Sequence, residues 1–378
     1  MNNLSRIVRI IDRRLAIGID DSFYVFNVED LQFKYRKWIE KIPRVQPFYA
    51  MKCNDDEKVL KTLMKMGSGF DCASKNELSK MINLGLEPER IIFAHTVKQI
   101  SHLKFAATKN IQKVTFDTHN ELLKIKEHHP DAQVVLRIRF DAKNSMANLG
   151  IKFGCDPQEE APELIKLCAS LGMNLIGISF HVGSGTSDHT IFKRALCEVR
   201  KLFDFAAGEG IKLTFVDIGG GFLGHDINLL DDYAGSINEG IEKYFDDPTV
   251  KIISEPGRYF AESPFAIAVQ IILKKIDVNG HTHYYINEGI HLSFMISYLY
   301  KDNLRFDIVR KSTSANDSTE KISSVWGNSC DSKDIVFADK MLPDLNIGDW
   351  LVFYDVGDYT RSCSSTFNGF KIGDIVDY

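Results

Sequence analysis

Val216-Asp217-Ile218-Gly219-Gly220-Gly221 and Ile252-Ile253-Ser254-Glu255-Pro256-Gly257-Arg258 are the two stretches on which the reading of this chain turns. Each is a short apolar strand that runs directly into glycine. Glycine lets bare backbone N–H groups approach an anion closely, and Arg258 adds a fixed cationic fork. If the two strands are the last pair of a parallel barrel, their turns form the anion clamp that such barrels place after strands seven and eight.

Working outward, matching runs recur upstream: Phe48-Tyr49-Ala50-Met51, Phe70-Asp71-Cys72, Ile91-Ile92-Phe93-Ala94, Val114-Thr115-Phe116, Val134-Val135-Leu136-Arg137-Ile138 and Ile176-Gly177-Ile178-Ser179-Phe180. The first five start roughly 20–23 residues apart, room for one helix and two short loops per unit. With Phe215–Ile218 and Ile252–Ser254 the count reaches eight, which predicts a (β/α)8 barrel over residues 27–264. Ser74-Lys75-Asn76-Glu77 and Thr118-His119-Asn120-Glu121 read as helix-starting capping boxes, and Asn27 precedes a helical stretch from Val28 to Ile39.

Beyond about Ser263 the pattern becomes that of a second, mostly β domain, residues 265–378, joined by residues 1–26 through strand-like Val8-Arg9-Ile10 and Phe23–Phe26. Ala266–Ile276 alternates, Asn279-Gly280 reads as a two-residue hairpin turn before Thr282–Ile286, and Trp350–Tyr354 and Ile372–Val376 are further strands. Asp302–Ser323 is polar and serine-rich and reads as a loop.

The composition fits a large soluble core. A formal net charge of −5 argues against a general nucleic-acid binder, and no apolar run is long enough for a membrane span. Seven cysteines, none in a CxxC pair, fit reduced thiols better than a disulfide framework. With no apolar segment of a secretory signal after Met1, they predict a cytoplasmic protein.

Lys52 ends the first barrel strand, at the rim where barrels place their chemistry; a lysine there, flanked by apolar residues, can form a Schiff base. His181, in His181-Val182-Gly183-Ser184-Gly185, offers a flat ring and Ser184 an anion contact. Glu255 could hold the proton of a heterocyclic nitrogen. Cys330-Asp331 combines a thiol able to deliver a proton with a carboxylate able to bind an ammonium, and Tyr359 is a hydroxyl donor. Gly219–Gly224 also matches G-x-G-x-x-G, but it lies in the seventh repeat and opens no βαβ domain, so a dinucleotide site is set aside. His281 and His283 share a strand face but lack a third ligand, and no metal site is assigned.

Taken in order, Pro47–Asn54, Phe70–Lys75, His181–Gly185, Asp217–Gly221 and Glu255–Arg258 resemble the motifs of the fold-type III pyridoxal phosphate-dependent decarboxylases, whose fold is alanine racemase-like. Within them the chain most resembles the eukaryotic ornithine decarboxylases, from about Phe23 to Phe370. The resemblance implies decarboxylation of L-ornithine to putrescine, a step of polyamine biosynthesis, through Schiff base and quinonoid intermediates. Lys52 would carry the cofactor, His181 would stack on its ring, and Glu255 would pair with the ring nitrogen. Ser184, Gly219, Gly220, Gly221, Gly257, Arg258 and Tyr359 would bind its phosphate, and Asp71 and Glu77 would support the lysine. Cys330 would assist reprotonation, and Asp331 would recognise the distal ammonium. The resemblance further implies a homodimer with shared active sites, tied by Lys152 and Asp334, with Phe367 lining the common pocket. An antizyme is a further partner of the family.

Three departures stand out. Asn148 occupies a position where the family carries an arginine near the cofactor's phenolic oxygen. His291 stands where it carries a pocket tyrosine. The second substrate-binding acid is displaced, so that Asp302 follows Lys301 instead of Tyr300 directly. The chain also ends soon after Phe370, without the long tail linked in the family to regulated degradation. Asp331 after the cysteine separates the chain from diaminopimelate decarboxylases, and Glu255 from alanine racemases. Lysine or arginine as substrate stays open, as does a non-catalytic regulator of the antizyme-inhibitor kind, towards which Asn148 points.

Overall fold

Eight short apolar runs become eight parallel strands, the first seven each followed by a helix of nine or more residues and the last only by a short helical turn, Arg258–Ala261. The computed structural model describes residues 3–300, 304–311 and 319–377, and the chain divides into two compact units, Gln32–Phe260 and Met1–Leu31 with Ala261–Tyr378. β1 (Phe23–Phe26) lies in the second unit. The first unit is the barrel: β2 (Val45–Ala50), β3 (Gly69–Cys72), β4 (Ile91–Phe93), β5 (Lys113–Phe116), β6 (Gln133–Arg139), β7 (Asn174–His181), β8 (Phe215–Asp217) and β9 (Lys251–Ser254). Each strand pairs with the next, and β2 pairs with β9 to close the ring.

Inside the ring, Phe48, Ile92, Val135, Phe215 and Ile253 form a buried apolar layer. Gly69 faces the same space, since a Cβ there would lie 2.6 Å from the Phe48 ring. Side chains two apart on a strand share a face. The positions two residues on from Gly69, Val135, Phe215 and Ile253 are Asp71, Arg137, Asp217 and Glu255. The apolar layer is thus a floor, and the next positions form a polar layer at the strands' C-terminal ends.

The capping residues act as half boxes. Ser74 and Thr118 accept from the N–H of Glu77 and Glu121, both at 3.3 Å. The glutamates go elsewhere: Glu77 accepts from Ala73 N–H at 2.6 Å, and Glu121 pairs with the buried ammonium of Lys98 at 2.8 Å. Asn27 caps its helix as expected, accepting from Asp30 N–H.

The second unit is built on β10 (Phe265–Ile276). One half of it pairs with β1 and β15 (Trp350–Tyr354), and beyond a bulge at Ile271–Leu273 it pairs with β11 (Thr282–Ile286). β12 (Phe306–Val309) flanks β15, β13 (Glu320–Trp326) and β14 (Ile335–Pro343) continue from β11, and β16 (Asp374–Asp377) runs parallel to β1.

Three expectations are corrected here. Val8-Arg9-Ile10 is not a strand but the middle of a helix, Asn3–Ala16. Leu4, Ile7, Val8, Ile11 and Leu15 follow the helical spacing and pack on Phe23, Val25, Ala268 and Trp350. The Asp302–Ser323 segment is not one loop, since β12 lies within it and β13 begins before its end. Third, the β10–β11 hairpin turns over five residues, with Asp277 N–H donating to His281 C=O. Gly280 alone there has a positive φ, whereas the two-residue turn needs two such positions. Among the described residues no helix is long and apolar enough to cross a membrane.

Candidate active site

The barrel mouth gathers charge around Lys52. Its ammonium pairs with the carboxylate of buried Asp71 while the side chain stays 43% exposed. Asp71 Oδ1 is buried without a hydrogen-bond partner, as is Glu255 Oε1. Burial raises Asp217 to about 6 and raises Glu255 well above the usual carboxylate range, helped by the charges of Asp217 and Asp71 and opposed by Lys52. Asp217 and Glu255 hydrogen-bond to each other, with Glu255 keeping the proton. Glu255 therefore has a carboxylate as its neighbour. Glu77 is also raised, mainly by burial, against the Ala73 N–H bond.

His181 ends β7, and burial together with the charges of Arg137 and Lys52 lowers it to about 3. It is a neutral ring whose Nδ1 accepts from Gly183 N–H at 3.0 Å, so the proton sits on Nε2.

The glycine turns are close-packed around it. Gly221 has φ +103°, and a Cβ there would lie 2.0 Å from Gly183 C=O; at Gly220 it would lie 2.5 Å from Glu255 C=O and 3.3 Å from His181 Nε2. Gly219 C=O accepts from Glu255 N–H at 2.7 Å, Gly185 N–H donates to Gly221 C=O at 3.0 Å, and Asp217 accepts from Gly219 N–H at 2.9 Å. The loops after β7, β8 and β9 are thus laced together, with Ser184 bridged to Ala147. Gly257 presses against the Cys53 and Ala50 side chains on either side of Lys52, and Arg258 beside it is buried.

Arg137 is the residue the sequence reading passed over. It lies over the Phe153 ring at 5.1 Å, and its charge acts on both His181 and Asp217. Asn148 is an exposed turn residue whose Oδ1 accepts from Gly150 N–H. The mouth therefore keeps an arginine, supplied by β6. An arginine two residues beyond Val135 in an apolar strand is the signal that would have found it.

In the second unit, Cys330 is exposed, and its N–H donates to Asn368 Oδ1 at 2.8 Å. Asp331 accepts from Lys333 N–H and pairs with His291 Nε2 at 2.8 Å, and these two bonds hold its carboxyl below the usual range. The His291 ring rests on Phe367, centroids 4.6 Å apart. Tyr359 is half-buried with φ +49°, a left-handed conformation rare for a bulky residue. Asp302 lies outside the described residues.

Asp334 is the residue expected to meet Lys152 of a second chain. It is only 1% exposed, and its carboxylate accepts from Ile290 N–H, 44 residues away, at 2.8 Å and from Ser329 N–H at 3.0 Å and Ser329 Oγ at 2.5 Å in its own loop. A Cβ at Gly289 or Gly327 would strike it at 2.5 or 2.2 Å. Lys152 is exposed, with its ammonium 5.0 Å over the Phe153 ring.

The barrel residues fit an aromatic aldehyde phosphate. An amine stands among three carboxylates, two of them with buried unpartnered oxygens, beside a neutral flat ring and a cradle of glycines too tight for any Cβ. That combination of barrel and lysine defines a class, the barrel enzymes that carry a carbonyl cofactor on lysine. The particular family follows from comparison: residues 28–262 match the pyridoxal-dependent decarboxylase, pyridoxal binding domain, and the chain belongs to that family. It is 40% identical to ornithine decarboxylase of Schizosaccharomyces pombe, over 94% of this chain and 83% of that protein. It is 39% identical to antizyme inhibitor 2 of Xenopus laevis, over 93% and 79%. The crystal structure of the Paramecium bursaria Chlorella virus arginine decarboxylase superposes with a TM-score of 0.93 at 36% identity, covering 99% of this chain and all of that one.

Proposed function

We propose that the chain is a pyridoxal phosphate-dependent decarboxylase that converts L-ornithine to putrescine and carbon dioxide. The observation that carries this reading is the meeting of Lys52, the three carboxylates of Asp71, Asp217 and Glu255, and the glycine cradle at one end of the barrel. Pyridoxal phosphate, when bound, supplies the electron sink that loss of an α-carboxylate needs.

The protein's part is to hold and to move protons. Lys52 is the amine for the aldehyde carbon, and Asp71 orients its ammonium, with Glu77 behind. Glu255 keeps a proton at the position suited to a ring nitrogen. His181, held neutral, offers a flat face without adding charge. The N–H groups of Gly220, Gly221 and Gly257, the Ser184 hydroxyl, Arg258 and the Tyr359 hydroxyl are the phosphate donors, with the Gly219 N–H held by Asp217. Cys330 returns a proton to the carbon that loses the carboxylate, and Asp331 binds the distal ammonium. Two chains act together as a homodimer in which Cys330 and Asp331 serve the partner's barrel.

Lys52→Ala tests the core of the reading: the holoenzyme's yellow absorption band should vanish, and turnover should drop by about 10⁴-fold. A colourless wild-type protein that releases no carbon dioxide from ornithine overturns it. Mixing Lys52→Ala with Cys330→Ala chains should restore part of the activity, and no recovery refutes the shared site. Assays with lysine and arginine decide the substrate. The likeness to antizyme inhibitor 2 supplies the second reading, a chain that binds an antizyme and catalyses nothing; antizyme capture without turnover would select it.

A further inference from the structure

We infer that His291 governs the charge Asp331 presents to a substrate's distal ammonium, which makes it a specificity-determining positioning residue with a built-in pH response. The inference rests on the role given to Asp331 above. His291 is fixed from three sides: the preceding Ile290 N–H donates to Asp334, the His291 carbonyl accepts from Ser365 N–H at 2.9 Å and Ser365 Oγ at 3.1 Å, and the ring rests on Phe367. Asp331 is equally constrained, since its N–H donates to Ser329 Oγ and its Oδ1 accepts from Lys333 N–H at 2.9 Å. The two side chains meet at 2.8 Å with 22% and 31% of their surfaces exposed, so a ligand can still reach the carboxylate.

Lys333 acts on Asp331 from the same turn, and Asp334 lies buried behind the loop. Ser365–Asn368, packed against the ring, carries no charge. The net charge at this point is therefore decided by the imidazole. A neutral ring donates Nε2–H and leaves a full negative charge on Asp331. An imidazolium cancels that charge and competes with an incoming ammonium. Protonation of the ring is thus the event that changes the charge offered to a substrate.

The test is the pH dependence of KM for ornithine, set against the inhibition constant of L-norvaline, which has the same carbon chain without the distal ammonium. From pH 8 to pH 6 the wild-type KM should rise about three- to fivefold, the scale of a partly exposed charge pair. The norvaline constant should not show this rise, and kcat should not carry the effect. His291→Tyr keeps the ring and a donor, and His291→Gln keeps a donor alone. In both, the ratio of KM at pH 6 to KM at pH 8 should fall to about one or two. An unchanged ratio in both variants, or an equal rise for norvaline, overturns the inference while leaving the decarboxylase intact. Absence of carbon dioxide release from wild type at every pH instead overturns the decarboxylase reading, and the inference with it.

Discussion

Asp217 ends a barrel strand and Glu255 directly follows another, and burial raises them; Asp331 lies in a partly exposed turn, and hydrogen bonds lower it. The barrel mouth stores protons in a rigid, close-packed setting. The turn in the second unit offers a ready negative charge, held in place by one buried carboxylate, Asp334. The contrast suits two tasks: a cofactor ring that wants fixed protonation, and a substrate that arrives with a positive charge from water.

The comparison can be broken most forcefully at the glycines. Gly221→Ala combines a left-handed backbone with a Cβ placed 2.0 Å from a carbonyl, and should destabilise the barrel by about 3–5 kcal/mol and abolish cofactor uptake, read by thermal denaturation and absorbance. If it behaves like an ordinary turn substitution, the mouth is not close-packed. Asp334→Ala strips the partners of Ile290 N–H and Ser329 N–H, and should cost about 2–4 kcal/mol. It should also lower kcat/KM by about a hundredfold through disorder of the Cys330–Asp331 turn, while the barrel's cofactor absorbance persists.

The stored protons give a smaller, signed effect. The folded pKa of Asp217 lies above its unfolded value, so its contribution is complete below about pH 4. That contribution is lost as pH rises towards and through about 6. The cofactor-free protein should therefore lose about 1–3 kcal/mol between pH 4 and pH 7 from this group, and Asp217→Asn should remove that loss. A melting temperature whose pH slope is the same in the variant would place the proton elsewhere. Gly280→Ala should show the least change, about 1 kcal/mol, since its φ of +81° is strained for alanine but no atom lies within 4 Å of the new Cβ.

How much could be read from the chain follows the same division. Barrel strands announce themselves locally, as apolar runs ending in glycine or in a lone charged residue, and Lys52, His181 and Glu255 could be placed by their neighbours in sequence. Arg137 was missed although Val135 two residues earlier marks its face. The first helix was taken for a strand because Val8-Arg9-Ile10 alternates locally; the helical spacing appears only over Leu4 to Leu15. Asp334 was legible only as a charge. Its burial depends on Gly289, Gly327 and Ile290, and Gly289 and Ile290 come from a distant part of the chain.

The two-residue step between floor and mouth has a bearing on how such a protein can change over generations. An insertion or deletion of one residue within β6 or β8 would turn Arg137 or Asp217 outward and bring a neighbour's side chain inward, so lineages can lengthen the connecting loops but cannot slide these strands by one. Innovation in what is bound is thereby channelled to surfaces free of that parity constraint, and the pair of turns bearing His291 and Asp331 is one of them.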